Sequence, residues 1–429
     1  MPTPAGDVAH LLRRAGFGGS PTQITTLARL DIRQIVDRVL DTTANPPVVA
    51  PVGLGASDKG YEQWVKMTHW WLDRMATGPT PIVEKMTLFW HGHLCSGISK
   101  VEKPIRMWNQ QQLFRTKGLG NVVDLVQAVA IDPAMLRYLD NDQNFVGSPN
   151  ENFARELMEL LTLGVNEYTQ SDIVASARAW TGYSRDSQTG DYLYRPRAHD
   201  SGIKTFFGVT KGWTGPEIIE EILLGKKKQT AARFLATKLW SFFAYPDPER
   251  SVVDAIVKPY LASNLDVKTL VKAIFLRPEF YSTKTKRGLV RSPIEYMVAA
   301  MKGAGVLSDV AHPEWFCEPM GQVPFDPPNV SGWRPNSYWI STSSTWAKVS
   351  FASYLRWKVN ETALLEGVER KSPADSVKAA LQQFGIDNAG PTTKAALQRY
   401  VERERATDRW AERPNLIFLT MMCPEMQLA

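Results

Sequence analysis

Apolar residues recur at helical spacing through most of this 429-residue chain, and runs alternating with a period of two are scarce. A stripe with a period near 3.6 buries one face of a helix and does not suit a pleated strand. The pattern therefore predicts a mostly α protein, a large multi-helix fold with long irregular loops and little or no β-sheet. Ser20-Pro21-Thr22 reads as a helix start with proline at the first helical position, the helix running to about Arg29. Further helices are expected at about 31–40, 60–76, 80–90, 102–116, 120–130, 150–163 and 170–182. A second set is expected at about 215–224, 229–243, 249–262, 266–275, 292–305, 346–358, 373–384, 391–405 and 413–422.

A chain of this length exceeds the size at which one core stops growing. The expected organisation is a main helical domain, 1–360, made of two lobes at about 1–185 and 214–360 joined by a long loop. A C-terminal helical subdomain, 361–429, packs on it. The stretches 183–213 and 307–345 are rich in Gly, Pro, Ser, Asn and aromatics, and loops of that length are functional or lid-like, whereas 44–58 is a blander linker. Ala273–Tyr281 and Leu419–Gln427 echo each other as apolar helix ends stopped by proline, one packing device used twice.

The net charge of +6 comes from lysines and arginines spread along the chain, with local concentration only at Lys226–Lys228 and Lys284–Arg291. That distribution reads as a solvated surface, and no nucleic-acid partner is expected. Cys95, Cys317 and Cys423 lack the spacing of a thiolate metal site and are too few for a disulfide scaffold. There is no basic, apolar leader and no run of 18 apolar residues, so no membrane insertion is expected and the chain as written reads as cytoplasmic. Fourteen tryptophans are a marked excess. Trp213, Trp315, Trp333 and Trp339 fall in loop-like contexts, where a ring either stacks on a sugar or plugs a loop.

Chemistry-bearing side chains concentrate in the first half. Asn150–Gly164 carries Glu151, Glu156, Glu159, Arg155 and two asparagines on one short helix. Phe153, Leu157, Leu160 and Leu161 form its core stripe, and Glu151, Arg155 and Glu159 fall on another side at i, i+4 and i+8. Glu156 lies beside the apolar stripe, where burial raises a carboxyl pKa or a metal demands its charge. Trp90-His91-Gly92-His93 ends a helix. If Gly92 releases the chain into an extended turn, both imidazoles point one way and can hold a metal, with Cys95 nearby. The competing readings are hydrogen-bonded core histidines and metal-free acid/base work. Asp140, Asn141, Asp142 and Asn144 suit either a hard cation or helix capping and turns. His199-Asp200 is either a ligand or base backed by a carboxylate, or a surface turn. Pro327–Trp333 and Trp339–Thr345 suit a sugar or polymer site, or a packed loop. Nucleophile elbow, Walker, dinucleotide and His-Glu-x-x-His motifs are absent, which demotes those chemistries.

Taken in order, several segments resemble the bacterial family known as domain of unknown function 1800. They are His10–Gly18, Phe89–His93, Leu139–Asn141, Asn150–Leu157 with Thr162–Gly164, Ala177–Gly182, His199-Asp200, Pro328–Trp333 and Pro424–Gln427. The resemblance spans nearly the whole chain and carries no established activity. It implies that relatives are often exported and encoded beside a partner family, domain of unknown function 1501, which is the partner expected here. The family pattern usually has asparagine where this chain has Gly92.

Two readings result. In the first the protein is a metal-assisted or carboxylate-based hydrolase of a polymeric or glycosidic substrate. His91, His93, Glu156 and His199 then hold a divalent metal; Asp140, Glu151, Arg155, Glu156 and Glu159 supply the catalytic groups; Asn329, Trp333 and Trp339 contact substrate. In the second it is a non-catalytic assembly or binding protein whose charged cluster is a buried structural network.

Overall fold

A computed structural model describes residues 1–51, 53–55, 60–360, 363–407 and 412–429. Parts of the 44–58 linker and the 361 boundary thus lie outside the described residues. The chain is 62% helical with only 4% strand in two small antiparallel sheets, the mostly α architecture that the periodicity demands.

Most helices begin where the sequence marks them. Pro21, Pro81, Pro104, Pro133 and Pro293 each sit in a first helical turn, where the missing N–H costs nothing. Asp31 with Gln34, Thr169 with Asp172 and Ser292 with Glu295 form reciprocal capping boxes. Several short helices had no forecast, among them Ile98–Val101, Pro424–Gln427 and, inside the 307–345 stretch expected to be irregular, Ser308–Ala311 and Glu314–Met320. Two others were not forecast either. Ala5–Ala15 starts at Pro4 with no side-chain cap, and Pro133–Tyr138 is too short to show periodicity. The 183–213 stretch forms two hairpins, Tyr183–Arg185 with Tyr192–Tyr194 and Lys204–Phe206 with Val209–Lys211. The second turns through Phe207 and Gly208, both at positive φ, as a tight hairpin turn requires.

The helix Pro81–His93 organises the interior. All ten residues from Ile82 to His91 are buried, so this helix is enclosed on every side. Ile82, Val83, Met86, Phe89 and Trp90 belong to one apolar cluster, built with Val8–Leu40 and Phe114–Phe280. Leu88 belongs to a second, built with Met67–Ala76 and Ile294–Met426. The same helix buries two charges. Glu84 meets the guanidinium groups of Arg74 and Arg115 and the indole N–H of Trp71, and Lys85 pairs with Glu295. The two proline-stopped helix ends share one device: a helix, a proline, then a short turn that buries Phe280 in one case and Met426 in the other.

Candidate functional site

Because the central helix continues through His93, two residues apart means a rotation of about 200°, and the two imidazoles leave opposite sides. The extended turn expected at Gly92 does not form, since the Leu94 N–H still bonds to the Trp90 carbonyl. His91 is fully buried, packed edge-on to Trp71 and Trp333, and its Nε2 accepts the Phe325 N–H at 3.0 Å. That bond leaves the ring proton on Nδ1, which is buried without a partner. His93 stacks on Phe89 and donates from Nε2 to the Leu161 carbonyl at 3.0 Å. Burial pushes both rings down to about 3, with Arg115 adding to the effect at His91 and Lys238 at His93. The Cys95 thiol, pushed up to about 12 by burial, donates to the His91 and Gly92 carbonyls. These groups are neutral packing and hydrogen-bonding elements.

The motif helix is not one uniform helix. Asn152–Glu156 is α, and Leu157–Thr162 is a π turn, with the Thr162 hydroxyl donating to the Leu157 carbonyl at 2.5 Å. Wide turns of this kind often mark functional segments and always shift the register of the residues beyond them. Here Phe153, Leu157 and Leu161 stay buried, Met158 joins them, and Leu160 is partly exposed. Glu159 leaves the ladder: Glu151 pairs with Arg155 at 3.0 Å, while Glu159 accepts the Tyr168 hydroxyl at 2.5 Å. Glu156 is half-buried and held above the usual carboxylate range by desolvation and then by Glu159, against Arg155.

Around this helix each expected group has a local partner. Asp140, at φ 56°, pairs with Lys100 at 2.7 Å, and Asp142 pairs with Arg185 at 2.5 Å. Asn141 donates to the Tyr183 carbonyl, Asn144 to the Ala177 carbonyl, and Asn152 to the Leu139 carbonyl. His199 Nδ1 donates to the Thr181 carbonyl at 2.9 Å while Asp200 takes both Arg178 arms. These side chains act as capping, turn and loop-locking groups. His93 reaches the motif helix only through the Leu161 carbonyl, and His199 is held by the Thr181 loop. Among the described residues no three His, Cys, Asp or Glu side chains are grouped to hold a metal, so the set His91, His93, Glu156, His199 does not fit one.

Of the expected substrate contacts, Trp333 and Trp339 pack into the protein and Asn329 caps an exposed turn. Asn329 closes a turn on the Ser331 N–H and hydroxyl, Trp339 is buried, and Trp333 packs on His91. Gly332 explains why this loop needs glycine: φ is 75°, and a Cβ there would meet the Gly92 carbonyl oxygen at 2.1 Å. Two motifs 240 residues apart thus touch backbone to backbone. A Cβ at Gly92 itself would meet only Trp333, at 3.9 Å, an ordinary contact distance.

An open cleft of about 630 Å³ lies elsewhere, between the start of Gly60–Thr77, the Ile98–Pro104 corner and Glu314–Met320. Its aromatic lining is Tyr61, Trp64 and Trp315; of the four loop tryptophans, only Trp315 lines it, 53% exposed. Its carboxylates are Glu102, Glu314, Glu318 and Asp326, and no lysine or arginine is among the described lining residues. Glu314 is clamped by two imidazoles, His69 Nε2 at 2.6 Å and His312 Nδ1 at 3.1 Å. His312 stacks on Trp315 with centroids 4.2 Å apart and planes 5° apart. Glu102 holds φ 61°, a left-handed conformation unusual for glutamate, where the short Ile98–Val101 helix turns into the next. Asp326 is fixed by the Ser99 N–H, leaving Glu318 exposed at the wall. Apart from Trp315, sequence reasoning missed this set. Its only signal was an aromatic beside an acid in two separated segments, Tyr61-Glu62 and Glu314-Trp315.

The molecule is thus a mostly helical protein with a well-tied motif region and an open acidic, aromatic cleft. The description "Protein of unknown function (DUF1800)" matches residues 10–428, and the chain belongs to that family. No curated protein and no solved structure matches it. Among the described residues no helix is long and apolar enough to cross a membrane.

Proposed function

We propose that the protein binds a glycan in the cleft between Trp64, Trp315 and Asp326, and that its preferred ligands carry amino sugars. The observation that supports this reading is the lining itself: three aromatic rings and four carboxylates, with no lysine or arginine among the described lining residues, in a volume suited to a short oligosaccharide. Flat rings stack on the apolar faces of sugar rings, and a wall rich in carboxylates favours a ligand carrying positive charge. A carboxylate-based hydrolysis would draw on the same set. Glu318, free at the wall, and Glu102 are the candidates to divide proton donation and water activation, in place of Asp140, Glu151, Glu156 and Glu159.

The test is calorimetric titration of the protein with fully deacetylated and fully acetylated chitin oligomers, then a reducing-end assay. Tighter binding of the deacetylated oligomer, lost in Trp315→Ala, is expected. Binding of neither oligomer at millimolar concentration refutes the reading. Binding without new reducing ends keeps the binding function and removes the hydrolysis.

A further inference from the structure

Of the fourteen tryptophans, three are exposed among the described residues, and all three stand on one pair of packed helices. Trp315, 53% exposed, belongs to Glu314–Met320 and lines the cleft. Trp346 and Trp357, 70% and 43% exposed, belong to Thr342–Asn360. The two helices meet through Phe316 on Phe351, with centroids 5.1 Å apart, and through Trp315 on Tyr354, 5.8 Å apart. An indole left in water forgoes the burial that so large an apolar ring gains inside a fold, so three of them gathered on one face mark a contact surface.

The helix Thr342–Asn360 turns Ala347, Phe351, Ala352, Leu355 and Val359 inward. Trp346 and Trp357 are separated by about three turns, so they fall within about 20° of each other on the outer side, about 16 Å apart along the axis. Only Ser350 and Ser353 stand between them on that stripe, and Ser350 is folded back on the Trp346 carbonyl at 3.0 Å. The result is a row of two indoles with no tall side chain between them, and Tyr354 carries it sideways to Trp315 and the cleft. The charge of this segment is as distinctive as its rings. From Pro327 to Asn360 the sequence has no aspartate or glutamate. Of its four bases, Lys348 is buried against Tyr296, Arg356 donates to Asn415 and lies over Trp357, and Lys358 lies over Tyr354, so only Arg334 is exposed. An anionic lipid surface would call for bases standing in water beside the rings, whereas the apolar face of a sugar ring needs only the indoles.

We infer that the Trp346–Trp357 row is a second carbohydrate site, which adheres to an extended or insoluble polysaccharide of amino sugars and lays it against the cleft. The inference rests on the glycan reading of the cleft and extends it from short oligosaccharides to the polymer. The acidic cleft selects a short stretch carrying positive charge. The row, with no carboxylate in its segment, takes sugar faces whether the amino groups are acetylated or not. Two sites on one polymer also reinforce each other, because a chain held at the row meets the cleft at a high effective concentration.

The experiment sediments the full chain with particles of chitin and of chitosan, and titrates the same preparations calorimetrically with the short deacetylated oligomer. The unaltered protein should sediment with both particles. Replacing Trp346 and Trp357 together, Trp346→Ser with Trp357→Ser, should weaken that binding by roughly tenfold or more and leave the oligomer titration unchanged. Should the double variant fail to fold, Trp346→Ser alone decides, since that ring is the more exposed of the two. Trp315→Ala should do the reverse, losing the oligomer and keeping most of the particle binding. Particle binding that depends on the row, with no oligomer binding in any variant, keeps the row and removes the reading of the cleft. Failure of the unaltered protein to sediment, or equal sedimentation of the row variant, overturns the inference. So does binding to phosphatidylglycerol vesicles in place of the particles, or a dimer in analytical ultracentrifugation that the row variant dissociates.

Discussion

Replacing Glu84 by glutamine removes one charge from the most enclosed ion cluster of the central helix. The carboxylate accepts from Trp71 at 2.9 Å, from Arg74 at 2.7 Å, and from Arg115 Nε at 3.0 and 3.1 Å. The Glu84 side chain is 2% exposed and that of Arg115 is 1% exposed, so water cannot take over these bonds. Glutamine keeps one acceptor but turns an NH₂ group toward two guanidinium ions. Breaking a buried pair in this way costs roughly 3 to 5 kcal/mol. With an unfolding entropy of about 2.1 cal/mol/K per residue, a cooperative chain of this size loses about 3 to 6 °C of midpoint. Differential scanning calorimetry reads it directly. Glu151→Gln is the control: its pair with Arg155 has side chains 37% and 40% exposed, and about 0.5 kcal/mol or less is expected. Equal midpoints for the two variants would refute the claim that enclosure decides the worth of these charges.

Acid should destabilise the protein through its buried imidazoles. His10 is pushed down to about 2, chiefly by burial and then by Arg14, and His91 and His93 to about 3. Their folded values lie below the unfolded 6.5, so the unfolded chain gains protons first and stability falls as pH drops from 6.5 toward 3. Between pH 7 and 5 each contributes a loss of about 2 kcal/mol. Buried Asp132, pushed up to about 7 by desolvation, acts in the opposite sense: its stability is present at low pH and lost as pH rises through 7. Urea unfolding across this range should show a net loss toward acid, flattened by His93→Gln and deepened by Asp132→Asn; a flat profile contradicts the neutral-imidazole assignment. Gly332→Ala should cost about 1 to 3 kcal/mol more than Gly305→Ala, since both have positive φ but only position 332 meets a carbonyl oxygen. Equal costs in denaturant unfolding would remove the close approach to Gly92 as the cause. Glu156→Gln should leave stability at pH 8 unchanged or raised, because desolvation and Glu159 already disfavour its charge; a marked loss would show that the charge has a partner.

Helix starts were legible because proline and capping pairs act within one turn: Pro81, Pro104 and the Ser292–Glu295 box needed no tertiary context. The π turn at Leu157–Thr162 was not legible, since an extra residue in a turn depends on packing of Met158 and on a hydroxyl finding the Leu157 carbonyl. The motif charges misled for a physical reason. Glu151 and Arg155 pair within one turn, while Asp140 and Asp142 are taken by Lys100 and Arg185 from distant segments, partners that their density along the chain does not reveal. His91 and His93 looked like a pair because spacing alone does not reveal whether a glycine ends a helix. The cleft was hidden by sequence distance as well. Trp64 reaches the Pro324 carbonyl 260 residues away, and the other walls come from equally distant segments of ordinary surface composition.

The bonds of the first helix set a schedule for synthesis. His10 waits for the Phe280 carbonyl 270 residues later, Arg14 for Thr285, and Arg13 for Asp387 at a separation of 374. On a ribosome that elongates at about 5 to 20 residues per second, those early arginines and that imidazole spend tens of seconds without their destined neighbours. Closure of the interior is therefore a late event, and a chaperone that shields the nascent first helix should raise the yield of native protein.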